Sequence, residues 1–111
     1  MKDSIRQKLE RLAARHEELS HLLADPGVIG DQNRFRELSR EYARLEPLAR
    51  RFGDYIAAEA DIRSAQDMLR DTDASIRQMA EEEQLAAESR LASLEPELVK
   101  LLLPKDPHDD S

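Results

Sequence analysis

The run Phe35-Arg36-Glu37-Leu38-Ser39-Arg40-Glu41-Tyr42-Ala43-Arg44-Leu45-Glu46-Pro47-Leu48-Ala49-Arg50-Arg51-Phe52-Gly53-Asp54-Tyr55 decides the fold. Its apolar residues Phe35, Leu38, Tyr42, Leu45, Leu48, Phe52 and Tyr55 continue into Ala58, Ile62, Ala65 and Leu69 by steps of three and four throughout. That period places them on one stripe of an α-helix. A proline in mid-helix removes a hydrogen bond and kinks the axis, but the phase holds past both Pro47 and Gly53, which argues against a turn at either. The spacing predicts one helix over 31–70, started by Gly30-Asp31 and about 60 Å long, too long for a compact domain of this mass.

Upstream, Ile5, Leu9, Leu12, His16, Leu19 and Leu23 recur at alternating four and three, a coiled-coil-like seam. Ser4 with Gln7 reads as a capping box, and Asp25-Pro26-Gly27 as the stop, so the first helix is expected over about 4–24. Downstream, Asp71-Thr72-Asp73 ends the long helix and Ser75 with Gln78 reads as a second capping box. The third helix, about 75–103, has a seam that is weak at Ala80 and Ala87 and strong at Leu91, Leu94, Leu98 and Leu101; Pro96 should kink it locally. Helix one can cover only the first half of the long helix, and helix three must return along the second half and beyond. The fold expected is all-α: an elongated antiparallel three-helix bundle or coiled coil, two overlapping hairpins sharing a long central helix. All four aromatics (Phe35, Tyr42, Phe52, Tyr55) lie on the shared helix, so the better core is expected toward helix one and the distal hairpin is expected to be the floppier end.

Composition agrees. Of 111 residues, 37% are charged and 4% aromatic, and Val, Ile and Thr together number eight, too few to build a sheet. Without cysteine there is no disulfide framework, thiolate zinc site or cysteine nucleophile, and a cytosolic setting fits. No apolar run exceeds four residues, so neither a membrane span nor a secretory signal is expected. Residues 1–55 hold 11 basic and 10 acidic side chains, residues 56–111 hold 6 and 14. Any contact with RNA phosphates must therefore be local and come from the first half.

Nothing supports catalysis, a cofactor or a metal. His16, His21 and His108 pair with no acid and nucleophile at a catalytic spacing, and Gly27, Gly30 and Gly53 form no phosphate loop. His16 reads as a seam filler and His21 as solvated. Glu81-Glu82-Glu83 diverge by about 100° per residue and read as a solvated acidic face that repels RNA and tolerates a basic protein partner. Arg36, Arg40, Arg44 and Arg51 share one side of the long helix; they are candidates for RNA phosphates, or for weak surface pairs with neighbouring Glu37 and Glu41. Val28 and Ile29 are two β-branched apolar residues at a turn, either a lid folded back on the hairpin or a partner contact.

Four stretches carry a resemblance: Leu22-Leu23-Ala24-Asp25-Pro26, Phe35 through Ala43, Leu45-Glu46-Pro47, and Leu101-Leu102-Leu103-Pro104-Lys105-Asp106-Pro107. Together they resemble the N-terminal helical domain of bacterial class I peptide chain release factors, across essentially the whole chain. The last phrase is similar to the factor reading UAA and UAG, not to the relative reading UAA and UGA. The resemblance implies a non-catalytic domain, residues 1–103, with 104–111 as a linker to codon-reading and catalytic domains. The family's Gly-Gly-Gln and Pro-x-Thr strings do not occur here, so no catalytic or decoding residue is carried over and the stop codon would be met only through those other domains. The implied partners are the ribosome, at the large-subunit stalk base, and the recycling GTPase factor. An isolated monomer is expected. Two other readings are open: a free-standing coiled-coil adaptor that oligomerises through its leucine seams, motivated by Leu101-Leu102-Leu103, and the tRNA-binding arm of a synthetase, which would want a more basic distal hairpin.

Overall fold

A computed structural model describes residues 1–103. Its helices are α1 (Asp3–Leu22), α2 (Pro26–Ile29), α3 (Gln32–Met68) and α4 (Ala74–Leu102), and no strand occurs among the described residues. The linker expected over 104–111 lies outside them. α3 spans about 55 Å at 1.5 Å per residue and sets the long dimension of a body 60 × 39 × 23 Å. Both Pro47 and Pro96 lie inside continuous helices.

Cross-helix pairs show the register. Arg6 meets Glu59, Arg15 meets Glu41 and His16 meets Glu46, so α1 runs antiparallel to the first two thirds of α3. Arg90 meets Asp61 and Arg51 approaches Glu97, so α4 runs antiparallel to the remainder and overshoots its midpoint. The principal core lies where the three long helices overlap: Leu9 of α1, Leu48, Phe52 and Tyr55 of α3, and Leu94 and Leu98 of α4, flanked by Ile5, Leu12, Ala13, Leu91 and Leu102. Burial of each such large side chain contributes about 1.5–3 kcal/mol relative to leaving it in water.

The core lies within the part of α3 that α1 covers, as expected, but nearer the centre of α3 than the four aromatics suggested. Only Phe52 and Tyr55 of the four aromatics are buried; Tyr42 is half-buried and Phe35 is 38% exposed. The pattern showed which residues share a stripe, but burial requires a facing helix, and two faces are present only near the centre. The distal hairpin is closed by small side chains instead. Ala58 and Ala65 on α3 and Ala80 and Ala87 on α4 are each at most 1% exposed. Both pairs are seven residues apart, two turns on one face of their helix.

Three helix ends differ from expectation. α1 begins one residue before Ser4 with Lys2 at its cap and no side-chain cap bond; the capping box does not form. At α4 the cap is Asp73, not Ser75: its Oδ1 accepts from the Ser75 amide at 2.9 Å and from Ser75 Oγ at 2.8 Å. The Pro26–Ile29 turn is itself one turn of helix, capped by Asp25, whose Oδ1 accepts from the Gly27 amide at 2.7 Å. A Cβ on Gly27 would sit 3.1 Å from that oxygen, so the tight cap favours glycine. Asp31 does cap α3, accepting from the Arg34 amide.

Candidate partner-binding surface

α2 separates the two β-branched residues at its turn. Val28 is 5% exposed and packs inward, whereas Ile29 is 54% exposed. Val28 is therefore packed into the fold while Ile29 is left at the surface: one turn of helix sends adjacent side chains about 100° apart, so only one folds back. Ile29 faces a shallow groove of about 470 Å³ lined also by Gln32, Phe35, Arg36 and Ser39. Phe35, assigned from its period to the core, instead forms part of this surface. The signal for that was available in its place at the start of the stripe, beyond the reach of a full second layer.

Arg36, Arg40 and Arg44 are exposed along α3. Among the described residues none of them has a carboxylate within the 4.0 Å of an ion pair. The expected ion pair with Glu41 does not form, because α1 takes that carboxylate, although the nearby Arg44 charge adds to Arg15 in favouring its ionised form. Arg15 Nε donates to Glu41 Oε2 at 2.7 Å and Nη2 to Oε1 at 2.9 Å, a bidentate pair. It raises the Arg15 pKa above its already high value and holds Glu41 below the usual carboxylate range. Glu37 and Glu41 line a second open depression with Arg40, Ala43 and Arg44. Arg51 leaves the row: it lies 3.5 Å from Asp54 and 4.0 Å from Glu97, beside the α3–α4 groove.

The other polar residues on α1 serve the α1–α3 seam. His16 Nε2 lies 2.7 Å from Glu46 Oε2; an ionised carboxylate only accepts, so Nε2 carries the hydrogen. The His16 ring stacks on Tyr42 with centroids 4.3 Å apart. Arg50 donates to the other oxygen of Glu46 at 2.9 Å, and Arg50 first, then His16, holds that carboxyl below its ordinary value. Arg6 donates to Glu59 and Glu10. His21 is exposed, as are Glu81, Glu82 and Glu83, and no group of three potential metal ligands converges among the described residues. No helix among them is long and apolar enough to cross a membrane.

The described residues form an arm of three packed helices with an exposed cationic row, and a comparison with known families places the chain. The family model of the PCRF domain matches residues 12–111. The chain belongs to the PCRF domain family. This domain is the N-terminal region of class I peptide chain release factors and carries a release-factor-type role in translation termination, a process on the ribosome. The match starts inside α1 and takes in the whole of α2, α3 and α4. No solved structure matches the chain.

Proposed function

We propose that this PCRF domain is the non-catalytic positioning arm of a release factor acting at UAA and UAG, and that its α2–α3 end meets the large-subunit stalk base or the recycling GTPase factor. The observation that carries the reading is the polarity of the arm. Arg36, Arg40 and Arg44 stand without ion-pair partners at one end, while between Asp61 and Glu88 at the other eight carboxylates stand against three arginines. A surface of phosphates or carboxylates attracts the first end and repels the second. The codon assignment is supported by the phrase Leu101 to Pro107. Stop-codon reading and peptidyl-tRNA hydrolysis are assigned to Pro-x-Thr and Gly-Gly-Gln segments outside this sequence, and a cytoplasmic location follows from the ribosome as partner.

The test uses ribosomes halted at a stop codon and the labelled chain. Weak binding that falls with added salt, no peptide release, and loss of binding in the triple variant Arg36→Glu, Arg40→Glu, Arg44→Glu are expected. Peptide release by the chain alone, or full binding by the triple variant, would refute the reading. Reading the native gene past the Ser111 codon tests the assignment of decoding and hydrolysis: an open frame into Gly-Gly-Gln and Pro-x-Thr supports it. Leu101 and Leu103, 41% and 64% exposed, favour the adaptor as a second reading; light scattering separates them, a monomer for the arm and a concentration-independent dimer for the adaptor.

A further inference from the structure

The exposed α2–α3 end combines two features that the fold does not need. The first is apolar: Ile29 and Phe35 flank a groove of about 470 Å³ and lie outside the core cluster. The second is cationic: Arg36, Arg40 and Arg44 follow one another at four-residue steps with no ion pair among the described residues. Elsewhere the arginines that border a helix seam are engaged, Arg6 with Glu59, Arg15 with Glu41 and Arg90 with Asp61.

We infer that this groove and the arginine row beside it form the docking site of an amphipathic acidic helix from a protein partner. Four residues of α-helix rise about 6 Å, so the three guanidinium groups repeat at that interval within an arc of about 80°. Carboxylates spaced four apart on a second helix repeat at the same interval, and one helix laid beside the other brings the two rows into register. The apolar face of such a helix meets Ile29 and Phe35, the helix-in-groove mode in which apolar anchors provide the hold and charges the alignment. An RNA backbone fits less well. A phosphate backbone makes no use of the apolar Ile29 and Phe35, whereas an amphipathic helix covers them with its own apolar face. The inference rests on the reading that the α2–α3 end is the arm's contact end.

The test is a titration of the ¹⁵N-labelled chain with a synthetic helical peptide carrying Glu at every fourth position and Leu on the adjacent face. The same peptide with Gln for Glu, and an RNA hairpin, serve as alternatives. Saturable shifts centred on Ile29, Gln32, Phe35, Arg36, Arg40 and Arg44, with affinity in about the micromolar-to-millimolar range, are expected. Ile29→Ser and Phe35→Ser, both at exposed positions, should each weaken the acidic peptide severalfold. Arg36→Gln, Arg40→Gln, Arg44→Gln together should weaken it by about tenfold or more at low salt. No shift at these residues up to about 1 mM peptide, equal binding of the Gln peptide, or tighter RNA binding that ignores Ile29→Ser would each overturn it. Ribosome binding distinguishes the two proposals. If it survives Ile29→Ser and Phe35→Ser but not arginine reversal, the contact end stands and the acidic helix falls. If peptide binds at these residues while ribosome binding ignores every variant, the groove stands and the contact end falls.

Discussion

The two hairpins that share α3 are closed by different chemistry. Along α1 and α3 the seam is partly polar: the bidentate Arg15–Glu41 pair, Arg6 on Glu59, and His16 held between Glu46 and the face of Tyr42. Along the outer part of α3 and α4 it is a row of alanines, Ala58 and Ala65 against Ala80 and Ala87, with Arg90–Asp61 at its rim. Directional pairs discriminate between registers but are worth little each when exposed. Methyl contacts tolerate little change in volume and have no charge to titrate. The arm therefore has one end aligned by charge and one end aligned by shape, joined at an aromatic and leucine core.

The largest expected effect destroys the contrast by removing what both ends share. Phe52→Ala empties the overlap of α1, α3 and α4 and should cost about 3–5 kcal/mol. Urea unfolding should show it, and amide exchange should accelerate in α1 and α4 together. Protection retained in either helix would mean that the hairpins stand separately.

Ala87→Leu acts on one end only. Overpacking a close seam costs about 1–3 kcal/mol, and the loss of amide protection should be confined to 60–90, leaving α1 unchanged. A tolerated leucine would show that the alanine seam is loose, as the sequence alone suggested for this hairpin.

Acid sharpens the comparison with the smallest effect. Glu41 and Glu46 ionise below the ordinary carboxylate value when folded, so in that window the unfolded chain holds more protons than the folded one. The stability these groups supply is complete above about pH 4.5 and is lost as pH falls through their folded values. Loosening should therefore begin at α1, read as early loss of protection there. At the distal end the Asp73 cap, held below its ordinary value by the Ser75 bonds, shares this dependence. Glu41→Gln should cost within about 1 kcal/mol at neutral pH and flatten the acid limb; an unchanged limb would remove the pair from the account.

Much of the architecture was legible because helical period is a local property. The unbroken phase through Pro47 and Gly53 made α3 one helix, and the Asp31 cap was readable from its neighbours. The candidate surface was read less well. The spacing puts Arg36, Arg40 and Arg44 on one side of α3, where they are exposed, but the split between Val28 and Ile29 depends on one turn of α2, and the exposure of Phe35 on where α1 ends against α3. Arg51 was grouped with the row by angle alone, whereas Glu97, 46 residues away, draws it to α4.

By itself the sequence determined the helices, the stripe each presents and the charge asymmetry between the two halves, all of which follow from spacing and composition. Only the tertiary structure decided which parts of those stripes are covered, which carboxylate the paired arginines take, and which side chains stay exposed. Burial and ion pairing depend on groups far apart in the chain arriving at one place, and no local period records that arrival.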